Sequence, residues 1–337
     1  RFSNLLSFNM MVVLLFISSL TMFMSGLVAT FEVDLKKIIA LSTLSQLGLM
    51  ISVLALGEDV LAFFHLLMHA LFKALLFMCA GSIIHSMNNC QDIRFMGSLI
   101  NMVPLTSCFF VICNMALCGL PFLSGFYSKD LILESMSSSF FNIYIYVLYF
   151  TSVGLTVMYS FRLIYYILVK SFVNYSYFSI ADSPGSMLGG MFGIIFFVIF
   201  AGSAVSWLVF PTPTFICLPT MKKFMVFFVM VFGLMIGGLI CNLSLLDNSK
   251  AMSFYLFVDF MGSLWNLSVF TGGFNYYFLM FGGKFSNLMD QGWSEYFGSQ
   301  NLFYFLKQNG IMGQKFLNNN LKIFLTLFLI WICLLNL

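Results

Sequence analysis

Residues 8–31 hold no charged side chain, and apolar runs of similar length recur along the chain with few interruptions. About 20 apolar residues in a row is what a helix needs to cross the hydrocarbon of a bilayer. With no water there to satisfy backbone groups, only helices and closed barrels can span it. The runs show no alternation of polar and apolar residues, which excludes a barrel. Charged residues make up 8% of the chain, against about 25% in soluble domains. The chain therefore reads as an all-α polytopic membrane protein.

Eight spans are expected, at about 8–31, 36–57, 60–86, 102–135, 140–170, 187–210, 222–246 and 321–337. Residues 250–320 differ, mixing Gly, Asn, Gln, Lys and aromatics with no clean apolar window. They suit a long amphipathic helix lying along the membrane surface, or a loop with short helices. Glycines at 272, 273, 282 and 283 are expected to break such a helix into kinked pieces.

Cations set the orientation. Loops after spans one, three, five and seven, with the adjacent span ends, hold Lys36, Lys37, Arg94, Arg162, Lys170, Lys250, Lys284, Lys307, Lys315 and Lys322. The other side holds Arg1, Lys222 and Lys223, and Lys73 and Lys129 fall inside spans. The first side is expected to face the matrix, or the cytoplasm of a bacterium. The formal net charge of +3 is too small to suggest a nucleic-acid partner. The eight cysteines include no C-x-x-C pair and read as small core or lipid-facing residues. The chain begins at Arg1 with no signal-peptide pattern, which suggests part of a longer protein.

Three ionisable residues break the third apolar run. His65, His69 and Lys73 stand four apart among Leu, Phe, Met and Ala. That spacing puts them on one helical face, drifting by about 40° per step. A lysine at the centre of a lipid-embedded helix costs at least ~2.5–3.5 kcal/mol. It is therefore expected to face the bundle interior, where such residues mark proton or ion paths. Histidine suits that work because it titrates near neutrality. Other readings are an ion pair between Lys73 and an acid of another helix, or a metal or haem ligated by the histidines. No third metal ligand lies nearby in sequence.

Span four reads NMALCGLPFLSGFYSKDLILESM. Gly119, Pro121 and Gly125 are expected to interrupt it between about Leu117 and Phe126, because proline removes a donor and clashes with the preceding turn. Lys129, Asp130 and Glu134 follow. Charges on a discontinuous helix suit a transporter site, and equally the aqueous end of a span.

Four stretches carry a resemblance: DLKKIIALSTLSQLGLM, FFHLLMHALFKALLFMCAGSIIH, QDIRFMGSL and LCGLPFLSGFYSKDLILE. With the later DQGWSEYFG and a final single span, they resemble the antiporter-like subunits of respiratory complex I, in particular the C-terminal portion of the chain 5 family. The resemblance implies the second of two inverted repeats over 1–170, further spans over 171–249, a lateral matrix-side helix over 250–320 and a terminal anchor over 321–337. It places Lys73, with His65 and His69 before it, on a polar axis at mid-membrane, and Lys129 with Asp130 on the broken helix beside an exit path. It implies a multi-pass protein of the mitochondrial inner membrane that couples NADH oxidation and ubiquinone reduction to proton translocation. No cofactor is expected on this chain itself; FMN, iron–sulfur clusters and ubiquinone would sit elsewhere in the complex. The implied partners are the other membrane-arm and accessory subunits and lipids such as cardiolipin. The alternatives are a structural clamp without its own conducting path and a stand-alone cation/proton antiporter.

Overall fold

The computed structural model describes residues 3–138, 143–172, 180–182, 185–212, 216–243, 255–318 and 321–336. Regular structure among them is helical, apart from one antiparallel bridge between Asp34 and Asp92. The chain forms two units, 1–265 and 266–337.

The first unit opens with α1 (Phe8–Phe31), α2 (Leu35–Ala55) and α3 (Asp59–Ser86). A short α4 (Leu99–Met102) precedes α5 (Pro104–Cys118), α6 (Ser124–Ser138) and α7 (Ile143–Ile164), the last continuing as a π-helix over Tyr165–Val169. Then come α8 (Ser186–Val209), α9 (Thr220–Leu243) and α10 (Tyr255–Gly262). Among the described residues, six helices are long and apolar enough to cross a membrane: α1, α2, α3, α7 with its π-helical end, α8 and α9. The expected fourth span is the pair α5 and α6, of 15 residues each, or about 22 Å apiece. The ends expected at 140–142, 244–246 and 337, and Arg1, Lys250, 251–254 and 319–320, lie outside the described residues.

Helix α3 is the hub and packs on α2, α5, α6 and α8. Its buried Phe64, Met68, Phe72, Leu75, Leu76 and Cys79 fill the main apolar core. The loops after α1, α3 and α7 meet at one end of the bundle. The Leu35 N–H donates to the Gln91 carbonyl (2.9 Å), and the Ser98 N–H donates to the Lys170 carbonyl (2.6 Å). Arg162 donates to the Glu32 carbonyl (2.6 Å). At the opposite end, Ser3 donates to the Asp59 carboxylate (3.1 Å).

The second unit consists of α11 (Leu267–Phe285), π-helical Ser286–Ser294 and Tyr296–Gln300, α12 (Asn301–Leu317) and α13 (Leu321–Leu335). None of its helices has a buried residue. The expected breaks at Gly272, Gly273, Gly282 and Gly283 do not occur: all four lie inside the unbroken α11. A glycine costs a helix roughly 1 kcal/mol but keeps its N–H, so the hydrogen-bond ladder continues through it. The chain instead turns just before α11, where Leu264, Trp265 and Asn266 take left-handed backbone angles. Helix α10, which the sequence reading assigns to the lateral stretch, belongs to the first unit, where Phe257 packs edge-on against Phe31.

Candidate functional site: a buried lysine–histidine line

The four basic side chains singled out in the sequence are enclosed by protein. His65 is 1% exposed, His69 8%, Lys73 4% and Lys129 3%. The first three climb one face of α3, with the His65 and His69 ring centroids 6.3 Å apart. Helix α2 faces them with polar residues at helical spacing, Ser42, Ser45 and Gln46, all buried; Ser52, further along, accepts from the Tyr149 hydroxyl of α7. The Lys73 ammonium donates to the Ile39 carbonyl (3.2 Å) and to the Ser42 hydroxyl. His65 is held on both nitrogens, Nε2 lying 3.3 Å from Gln46 Oε1 and Nδ1 2.9 Å from Ser128 Oγ on α6. His69 stands between them and meets the Phe72 ring edge-on, and its Nε2 has no hydrogen-bond partner among the described residues.

The broken helix carries the fourth group. Helix α5 stops at Cys118 because Gly119 takes the left-handed cap (φ +85°), which costs a glycine nothing. Phe122 inside the break also has positive φ (+69°), a strained angle for a bulky residue. Helix α6 then starts so close to α5 that a Cβ on Gly125 would sit 1.8 Å from the Ala116 carbonyl oxygen. Lys129, one turn into α6, reaches back to the end of α5. Its ammonium donates to the Leu117 carbonyl (3.3 Å) and to Thr156 Oγ1 on α7 (2.9 Å). The unpaired carbonyls of a helix C-terminus attract a cation. Asp130 and Glu134 are half-buried beside the line. A cavity of about 10 Å³, lined by Cys118, Lys129, Asp130, Val226 and Met230 among others, adjoins the lysine. That is close to the smallest space that holds one water.

No carboxylate pairs with either buried lysine among the described residues. The ion pairs there are Lys37–Glu32, Lys37–Asp34 and Arg94–Asp92, all at the loop end. The expected alternative of a Lys73 ion pair is therefore absent from them, as is any group of three potential metal ligands. Hydroxyls and backbone carbonyls do the solvating instead. Such partners tolerate a neutral amine as well as an ammonium, because a hydroxyl accepts as well as donates.

The polar partners Ser42, Gln46, Ser128 and Thr156 were not foreseen. Their signal is periodic: Ser42, Ser45, Gln46 and Ser52 share one face of α2, and Ser152, Thr156, Tyr159 and Ser160 share one of α7. The Tyr159 hydroxyl is turned toward Ser45 and Gln46 without reaching hydrogen-bond geometry. Asn114 on α5 is 1% exposed, and its amide donates back to the Phe110 carbonyl (3.0 Å).

A helical membrane bundle with a line of buried bases against a broken helix defines the class: a polytopic membrane protein of antiporter-like build. Residues 159–337 match the family described as NADH dehydrogenase subunit 5 C-terminus, and residues 1–158 match NADH:quinone oxidoreductase/Mrp antiporter, TM. The chain belongs to the NADH dehydrogenase subunit 5 family. It is 52% identical to NADH-ubiquinone oxidoreductase chain 5 of Anopheles quadrimaculatus over 94% of this chain and 55% of that protein. Identity to the same chain of Anopheles gambiae is 50% over 99% of this chain and 58% of the relative. For Locusta migratoria it is 48% over 96% and 56%. The chain thus spans a little over half the length of these relatives.

Proposed function

We propose that this chain works as a membrane subunit of an NADH:ubiquinone oxidoreductase, in which its buried line passes protons while redox chemistry proceeds on other subunits. The observation that carries the reading is the run Lys73–His69–His65–Ser128–Lys129, enclosed by protein and free of carboxylate partners among the described residues. Moving one charge against 100 mV costs ~2.3 kcal/mol. A change of about two pKa units in one group is worth a comparable ~2.7 kcal/mol, so modest electrostatic changes nearby suffice to drive a step. The proposed setting is the mitochondrial inner membrane, with the other membrane-arm subunits as partners and with lipids such as cardiolipin along the exposed helices. FMN, iron–sulfur clusters and ubiquinone belong to other subunits in this reading.

The test is Lys129→Ala in intact complex, with NADH oxidation and proton translocation measured against the amount of complex on a native gel. Loss of translocation with assembly retained is expected. Full translocation would reject a conducting role for Lys129. A second reading, a clamp joining neighbouring subunits, draws on the exposed apolar surface of α11 to α13. It predicts instead that assembly and activity fall together.

A further inference from the structure

Both nitrogens of His65 are occupied, and by partners of different kinds. Gln46 faces Nε2 at 3.3 Å. A carboxamide does not ionise near neutral pH, so whichever of its ends meets the ring it passes no proton on. Ser128 faces Nδ1 at 2.9 Å, and its hydroxyl has a second outlet, the Gly125 carbonyl at 3.3 Å. A hydroxyl rotates and can both donate and accept. When Nδ1 is bare, the Ser128 O–H donates to it. When Nδ1 carries a proton, its N–H donates to Oγ and the hydroxyl hydrogen turns to Gly125. Gly125 stands at this point because only glycine allows α6 to approach Ala116 so closely.

We infer that Ser128 is the port of His65 toward the broken helix: a proton that passes between this ring and Lys129 does so through the Ser128 hydroxyl. The titratable groups in the field of His65 are His69, one turn along α3, and Lys129, the residue after Ser128. The step balances. In one direction, a proton from the Lys129 ammonium passes by a bridging water to Oγ as the original hydroxyl proton moves to Nδ1. An O–H bond forms as another breaks, leaving a neutral amine and an imidazolium. The reverse step returns the proton. Ser128 takes part in the relay directly, its hydroxyl exchanging one proton for another. The inference rests on the conducting role proposed above.

The test compares Ser128→Ala, Ser128→Thr and Ser128→Cys with Lys129→Ala in intact complex, reading NADH-driven proton translocation as a function of pH. Ser128→Ala is expected to cut translocation roughly tenfold, the change that ~1.4 kcal/mol on a barrier produces, with assembly unchanged. Ser128→Thr, which keeps the hydroxyl, should restore the rate and the wild-type pH profile. Ser128→Cys keeps the volume but replaces the hydroxyl by a thiol, and should move the profile; it decides the matter where the alanine variant fails to assemble. Wild-type rate and profile in Ser128→Ala, or a wild-type profile in Ser128→Cys, overturns the inference. If Lys129→Ala still abolishes translocation in that case, the conducting role stands without Ser128. If Lys129→Ala is also silent, both fall.

Discussion

The two units handle apolar surface in opposite ways. In the first, α3 packs on four helices, buries Phe64, Met68 and Phe72, and turns His65, His69 and Lys73 inward. In the second, Phe278, Trp293, Phe305 and Trp331 are all more than half exposed. The first unit therefore has what its polar line needs: protein around it and hydroxyls and carbonyls to solvate it. The second carries apolar side chains that water would disfavour, so lipid or other proteins must cover them. The proposed function puts the chemistry in the first unit and attachment in the second.

The largest expected effect lies in the first unit. Gly125→Ala places a methyl group on the Ala116 carbonyl, 1.8 Å away. Ordinary overpacking costs about 1–3 kcal/mol; this clash is with backbone and cannot be relieved by a side chain moving. Assembled complex on a native gel should be nearly absent. Normal assembly would show that the two half-helices have room to part.

An intermediate effect is expected in the second unit. Burial of a Phe side chain against a partner is worth roughly 1.5–3 kcal/mol. Phe278→Ser with Phe305→Ser should lower the assembled fraction severalfold, while translocation per assembled complex stays at the wild-type level. A fall in translocation with full assembly would reverse the division of labour between the units.

The smallest effect concerns the loop end. Lys37 binds Asp34 at 2.7 Å and, with Asp92 and Arg94 nearby, holds the Asp34 carboxyl below its ordinary value. A lowered carboxylate pKa contributes stability above the unfolded value, near ~4, and loses it as pH falls through the folded one. The pair is solvent-exposed on the lysine side, so Asp34→Asn should cost no more than about 1 kcal/mol. Thermal melts should show a small loss that is constant across neutral pH and vanishes only in acid. A loss that grows between pH 6 and 8 would contradict this.

The helices were legible because length and apolarity decide them: α1 runs Phe8–Phe31 and α8 Ser186–Val209, within a residue of where hydropathy puts them. The interruption in span four was legible too, since Gly119 and Pro121 act on the backbone locally. The turn before α11 was not, because Leu264, Trp265 and Asn266 carry no glycine or proline to announce left-handed angles. In the site, lysine and histidine stand out in an apolar run at any position. Serine and threonine do not, because their hydroxyls bond back to their own helix: Ser45 donates to the Ser42 carbonyl and Thr156 to that of Val153. Only the packing of the helices turns the hydroxyls of Ser42, Ser128 and Thr156 into the ligands of Lys73, His65 and Lys129.

In the proposed function the first unit's buried line carries protons, and Lys73, like His65, is a point where it meets α2. Lys73→Met keeps the length and packing of the side chain and removes its titratable nitrogen, the donor to Ile39 and Ser42. NADH-driven proton translocation should be measured on the intact assembly of the proposed function. Loss of most of the translocation at full assembly is the predicted result. Wild-type translocation by the assembled Lys73→Met complex would contradict the account.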